Sequence, residues 1–137
     1  MSAPLSFTAH GIPVPQGSAR AVYLKNVKRA VLFHDKKDSL VSWRTLVADA
    51  AVKAMNGRAI FDDPIQVCAT FVLPRPPSIP KKRLHPDRKP DLDKLVRAIG
   101  DALTGVVYTD DARICAWHVD KRYGAPAGVT ITIGSPE

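Results

Sequence analysis

Cysteine is nearly absent from this chain: Cys68 and Cys115 are the only two, and neither sits in a Cys-x-x-Cys motif. That excludes a disulfide framework and leaves two free thiols, expected to be buried. The four histidines, His10, His34, His85 and His118, show no metal-ligand spacing, which argues against a structural zinc site. Long apolar runs are missing too. None approaches the ~20 residues that span a bilayer, so no membrane segment is expected. The opening MSAPLSFTAH has neither a basic n-region nor a long apolar h-region, so no secretory signal is expected and a soluble, cytoplasmic protein is. Glutamate is the scarcest acid. Glu137 stands alone at the end of the sequence, and the other twelve acids are aspartates.

Positive charge is what the chain has in excess. Twenty Lys and Arg against thirteen acids give a net charge of +7 and a pI near 9.7, the electrostatic footprint of a polyanion binder. At 137 residues, 45% of them hydrophobic, the chain fits one domain over residues 1–137 with a real core.

The patterning predicts an α/β (α+β) fold with a mixed sheet and two main helices, in the order β–(hairpin)–α–β–α–β–β. Leu5 to His10 reads as a strand that ends at the Gly/Pro-rich GIPVPQGSAR. AVYL and AVLFH flank the basic KNVKR and predict a hairpin with a cationic tip. Asp38 is placed to cap a helix from Ser39, with Leu40, Trp43, Val47, Ala50 and Ala54 at helical spacing and Asn56-Gly57 as the stop. IQVCATFVL, residues 65–73, alternates with period two and predicts a strand. Residues 74–90 contain six prolines, six Lys or Arg and one acid, which no regular element survives; an extended basic loop is expected. A second helix starts near Asp91, carries the apolar stripe Leu92, Leu95, Val96, Ile99, Ala102 and Leu103, and ends at Gly105. Two strands, Ile114 to Arg122 and Val129 to Ile133, follow and are expected to pair as a hairpin through Gly-Ala-Pro-Ala-Gly.

Acids gather at both ends of that second helix: Asp91 and Asp93 before it, Asp110 and Asp111 after it. Residues two apart on a helix diverge by about 200°. Asp91 and Asp93 therefore converge only if Asp91 lies in the loop or cap, which Pro90 favours by holding Lys89 extended. Two aspartates at a helix N-terminus also suit the macrodipole, and that plain structural role competes with any functional one. It does not account for Asp110 and Asp111. If TGVVYT folds back over the helix, these return to the first pair. Three carboxylates converging beside a basic loop call for a cation, and hard oxygen ligands suit Mg²⁺ or Mn²⁺. Such a metal can polarise a phosphodiester and activate water. Arg97 follows Asp93 by one turn and precedes Asp101 by another. It is either a rung in an exposed Asp93–Arg97–Asp101 ladder or a contact to the scissile phosphate.

RKPDLDKLVRAIGDALTGVVYTDDARI resembles the core motif of the RusA-type crossover junction endodeoxyribonucleases, which resolve Holliday junctions. Weaker similarity extends to GIPVPQGSAR and to the last two strands. The resemblance implies that Asp91, Asp93 and Asp111 are catalytic metal ligands and that Asp110 is an auxiliary acid. It also implies Mg²⁺ dependence, a homodimer, symmetric cleavage of four-way junctions in recombination and repair, and a bacterial or phage-infected cytoplasm. Two positions depart from the family pattern: Lys94 replaces its Asn, and Arg97 its Lys. Arg97 keeps charge and phosphate affinity but does not easily donate a proton. Arg20, Lys81, Lys82, Arg83, Arg88, Lys89 and Lys94 are the expected DNA contacts. Two other readings stand beside this one: a nuclease for flaps or three-way junctions, and a non-catalytic basic nucleic-acid-binding protein.

Overall fold

Period-two alternation in residues 65–73 places the centre of the sheet. In the computed structural model, which describes residues 3–17, 20–24, 29–33 and 37–137, this stretch is β4 (Ile65–Leu73). Every second residue from Ile65 to Leu73 is buried, and those between are half-buried. Around it lie β1 (Leu5–His10), β5 (Ile114–Tyr123) and β6 (Gly128–Gly134) in the order β1-β6-β4-β5. β6 is antiparallel to both β1 and β4, whereas β5 is parallel to β4. The sheet is mixed, as expected.

β2 (Arg20–Leu24) and β3 (Arg29–Phe33) form the expected antiparallel hairpin. Most of its cationic tip, Lys25 to Lys28, lies outside the described residues, as does the side chain of Arg20. Helix α1 spans Lys37–Met55, so Asp38 sits in its first turn and does not cap a start at Ser39. Its buried line is Trp43, Val47, Ala51 and Met55, a strict i, i+4 repeat. Leu40, Ala50 and Ala54 only flank that line, packed partly buried against the core. Helix α2 spans Leu92–Leu103 and buries Leu95, Ala98, Ile99, Ala102 and Leu103, while Leu92 and Val96 are partly buried. Each large apolar side chain so buried contributes about 1.5–3 kcal/mol. α1 packs on β1 and α2, and α2 on β5. The opposite sheet face stays polar: the hydroxyls of Ser6 and Thr132, and of Thr8 and Thr130, pair across β1 and β6 at 3.0 and 3.1 Å.

The expected β5–β6 hairpin does not form. Gly124 to Ala127 instead carry the chain across the end of β4, with the Gly124 N–H donating to the Leu73 carbonyl at 3.0 Å, and β6 pairs on the far side. Four residues can span about 13 Å, enough to step over one strand and reach a site two ~4.8 Å spacings away. The crossing lets β4 bond on both edges. At Gly128 a Cβ would stand 2.3 Å from the Ala9 carbonyl oxygen, so only glycine allows β6 to approach β1 there.

Parallel pairing of β4 and β5 fixes the direction of α2. The chain leaves the C-terminal end of β4, returns through α2, and enters β5 beside the start of β4. Contacts at both ends record this. Lys121, late in β5, donates from Nζ to the carbonyls of Arg88 and Pro90 at 2.8 and 2.9 Å. Arg113, just before β5, pairs with Asp62 at 2.9 Å.

Candidate active site

Asp91 is the N-cap residue of α2, with extended dihedrals (φ −71°, ψ 137°). Its carboxylate makes no capping hydrogen bond and lies 3.6 Å from Lys94 Nζ. The plain capping role is therefore unfilled, and Lys94, expected on DNA, is turned to Asp91. Asp93 stands exposed in the first turn, and Arg97 is exposed one turn on. Lys121 was not legible as a site residue, because no motif marks it. Its ammonium ties Pro90 to β5 and so fixes the Asp91 end of the helix.

At the other end, Thr104 closes α2 and Gly105 takes φ +85°, the left-handed geometry that glycine adopts without strain. The chain folds back as expected, and Tyr108 reaches into the core with no exposed surface. Its hydroxyl donates to the Gly100 carbonyl at 2.8 Å, and the Thr104 hydroxyl donates to the same oxygen at 2.8 Å. A 3-10 turn over Asp111–Arg113 then leads into β5. Asp110 caps it by accepting from the Ala112 N–H at 2.9 Å, and Asp111 is exposed. A cleft of about 520 Å³ opens here, lined by Arg44, Asp101, Thr104, Thr109, Asp110 and Asp111. Asp101 and Arg44 were missed as site residues in the sequence. Asp101 read only as a rung of a surface ladder, but it is half-buried and accepts a hydrogen bond from Gln16 Nε2. Arg44 comes from α1, far away in sequence. Gln16 Oε1 is buried without a partner among the described residues, so a polar atom at this end of the helix is left unsatisfied.

Burial pushes the Tyr108 hydroxyl above its ordinary value. The Asp111 charge adds to this, and the Asp101 charge adds further. Below the ordinary tyrosine value of 10.0 both folded and unfolded states are neutral. Above it the unfolded chain releases a proton that the native state keeps, so stability falls by about 1.4 kcal/mol per pH unit until the native group titrates. Tyr108→Phe is expected to cost about 0.5–1.5 kcal/mol at neutral pH and to remove that alkaline slope. Urea unfolding of both proteins at pH 8 and pH 11 checks this; an equal loss in the two would dissociate Tyr108 from the alkaline transition.

The two acidic pairs stand at the two ends of α2, Asp91 and Asp93 at its start and Asp110 and Asp111 at the 3-10 turn that follows it. From Asp93 to Asp101 the helix rises about 12 Å, and Asp101 lines the same cleft as Asp110 and Asp111. Among the described residues no three His, Cys, Asp or Glu side chains gather closely enough to hold a metal ion. Octahedral Mg²⁺ takes oxygens at about 2.1 Å, which sets them within about 4 Å of one another. The carboxylates have the right chemistry for Mg²⁺, a hard cation that takes oxygen ligands. The sheet runs α2 from one end of β5 to the other, which sets the two acidic pairs apart along the helix.

The loop over residues 74–90 contains no helix or strand, as expected, but it is not simply extended. Ile79 is buried, and Arg75 donates to the carbonyls of Pro80 and Arg83 at 2.8 and 2.7 Å while stacking on Tyr123. Lys81, Lys82, Arg88 and Lys89 are exposed on this frame, whereas Arg83 pairs with Asp87 at 2.7 Å. The expectation of two buried thiols also needs correction. Cys68 is half-buried, but Cys115 is exposed: it is the extra residue at the register shift where β5 begins to pair with β4.

A mixed sheet with both helices on one face, carrying isolated carboxylate pairs beside a cationic loop, defines a basic α+β protein suited to a polyanionic partner. The family model of endodeoxyribonuclease RusA matches residues 11–134, and the chain belongs to that family. It is also similar to the uncharacterized protein YqaN of Bacillus subtilis (strain 168), with 27% identity over 139 residues that cover 94% of each chain. No described helix is long and apolar enough to cross a membrane.

Proposed function

We propose that this protein is a Mg²⁺-dependent endonuclease that resolves Holliday junctions by paired symmetric nicks, as a cytoplasmic homodimer serving DNA recombination and repair. The family match over residues 11–134 carries this reading. The exposure of Asp91, Asp93 and Asp111 on a chain of net charge +7 supports it. In this reading the three aspartates supply hard oxygens to Mg²⁺ or Mn²⁺, with Asp110 auxiliary and Arg97 at the scissile phosphate. The homodimer follows from the substrate, since a two-fold junction cut on paired strands needs two active sites. The test is incubation with matched four-way, three-way, flap and linear duplex DNAs, with Mg²⁺ or with chelator, followed by mapping of the cuts. Paired cuts confined to the four-way junction and lost with chelator are expected. Equal cutting of linear duplex, or no metal-dependent cut on any branched DNA, overturns the reading.

Lys81, Lys82, Arg83, Arg88 and Lys89 are placed to meet phosphates and not bases, because a turn-rich loop presents no reading helix to a groove. Each lost phosphate contact lowers the salt slope of binding by about 0.9. Lys81→Ala with Lys82→Ala is expected to do so on every DNA tested. Adding Arg83→Ala changes it less, because Arg83 is already paired with Asp87. Fluorescence anisotropy across a salt series measures the slope. An unchanged slope moves the DNA track elsewhere, with Arg20 the next candidate.

A further inference from the structure

Trp117 and Val119 of β5 pack against the core. Beyond them the same face of the strand changes character. Residues paired across a parallel ladder point the same way, and Lys121 and Tyr123 pair with Phe71 and Leu73, both buried. Lys121 and Tyr123 therefore continue the covered face, and what they meet is the cationic loop. The Arg75 guanidinium stacks 4.6 Å from the centre of the Tyr123 ring and donates to the carbonyls of Pro80 and Arg83 at 2.8 and 2.7 Å. Lys121 takes the other end of the loop, donating to the carbonyls of Arg88 and Pro90 at 2.8 and 2.9 Å. Both ends of the loop thus rest on two residues of one strand, about 7 Å apart. An ammonium has three donors, and two of those on Lys121 go to backbone.

We propose that Lys121 is a positioning residue for the nuclease reaction: from β5 it fixes the Arg88–Pro90 segment, and with it both the phosphate-binding loop and Asp91, in one frame, while Arg75 fixes the turn that carries Lys81 and Lys82. The proposal rests on the nuclease reading above and says how its phosphate track and its first acidic pair are kept in register. Pro90 is joined directly to Asp91, whose side chain makes no capping bond. The Asp91 backbone is tied from the helix side by the Leu95 N–H on its carbonyl at 3.1 Å, and from the loop side by Lys121. Chemistry on a phosphodiester needs its ligands and phosphate contacts held to about 0.5 Å of the productive geometry. A proline-rich loop without these anchors would be ordered only by the DNA itself, at a cost in affinity.

Trypsin reads the anchors without DNA or metal. Cutting after Arg88 needs the Arg88 carbonyl, which Lys121 occupies, and cutting after Lys81 or Lys82 needs the turn that Arg75 ties. Native-state cleavage follows the population of the opened segment. Lys121→Met keeps the apolar stem and loses the donors. It is expected to speed the cut after Arg88 by roughly tenfold or more, the factor for losing hydrogen bonds from a charged donor, and to leave the cuts after Lys81 and Lys82 near wild type. Arg75→Ala should give the reverse pattern. Equal rates after Arg88 in wild type and Lys121→Met overturn the proposal. A rise at every site alike, repeated by the milder Lys121→Gln, also overturns it, because that is a general loosening of the fold and not a lost anchor.

Cleavage and binding give the second readout. Lys121→Met should raise the Mg²⁺ concentration for half-maximal cutting of a four-way junction by about tenfold, as loss of a group that orients a metal ligand typically does. Lys121→Arg should recover part of this, since its planar fork can reach two carbonyls. An unmoved Mg²⁺ requirement separates Lys121 from Asp91 and overturns the coupling. The salt slope of junction binding should stay at its wild-type value in Lys121→Met, whereas a lost phosphate contact lowers it by about 0.9. A lowered slope puts the Lys121 charge on the DNA and overturns its assignment. Wild-type protein that cuts no branched DNA strikes the nuclease reading alone, and the tryptic pattern still decides the anchors.

Discussion

Asp93→Asn is expected to abolish cleavage while leaving junction binding intact. Asparagine keeps the size and shape of the side chain and removes one charge and one hard oxygen. Asp93 lies exposed in the first turn of α2, so no packing is lost with it. The fold loses only the favourable interaction of that charge with the helix N-terminus, about 0.3–1 kcal/mol. The functional loss is larger. In the proposed site Asp93 is one of three carboxylates that hold Mg²⁺, so its loss removes a hard ligand and a unit of charge from the metal at once. The rate should fall by more than the roughly 10²–10³ that one charge-stabilising donor is typically worth. Binding depends on the basic surface and should hold, or tighten slightly in the absence of metal, because a negative charge near the phosphates has gone. Cleavage and gel-shift titrations on the same junction separate the two effects. Wild-type cleavage by Asp93→Asn would remove Asp93 from the site.

Local pattern carried the elements well and their partners poorly. The alternation of residues 65–73 and the apolar stripe of α2 were legible because each is a one-sided burial repeated over several residues. The β2–β3 hairpin was legible for the same reason. The partner of β5 was not, since a four-residue link between two strands suits a hairpin and a step over β4 equally well. That choice is made by β4, which needs a ladder on both edges. The same topology governs the acids. Their types and positions were visible, and so was the fold-back of TGVVYT over the helix end. Which side chains share a cleft with Asp110 and Asp111 was not, because that depends on the tertiary path from α2 through the fold-back to the 3-10 turn. The length of α2 alone, 12 residues, already sets its two ends about 18 Å apart. Asp101 and Arg44 stayed hidden because the cleft they line joins α1, the end of α2 and the 3-10 turn, which only the tertiary fold brings together.

Arg97→Ala is expected to reduce single-turnover cleavage by roughly 10²–10³, the cost of losing one donor aimed at developing charge, with little change in junction affinity. Arg97 is exposed on α2, one turn after Asp93 and clear of the buried line of Leu95, Ala98 and Ile99. Its guanidinium therefore acts at the surface that carries the acids and not in the core. Arg97→Lys should keep much of the activity, because it restores the residue that the family motif carries at this position and preserves the charge. An arginine that serves only as a ladder rung predicts a different pair of results. Alanine would then cost well under ~1 kcal/mol of stability, as exposed ion pairs do, and the cleavage rate would stay within a factor of about three of wild type, well short of the loss expected for a phosphate contact. Measuring the rate at saturating protein beside a urea midpoint for each variant distinguishes the two, since a rate loss of two orders of magnitude with an unmoved midpoint belongs to the phosphate and not to the fold.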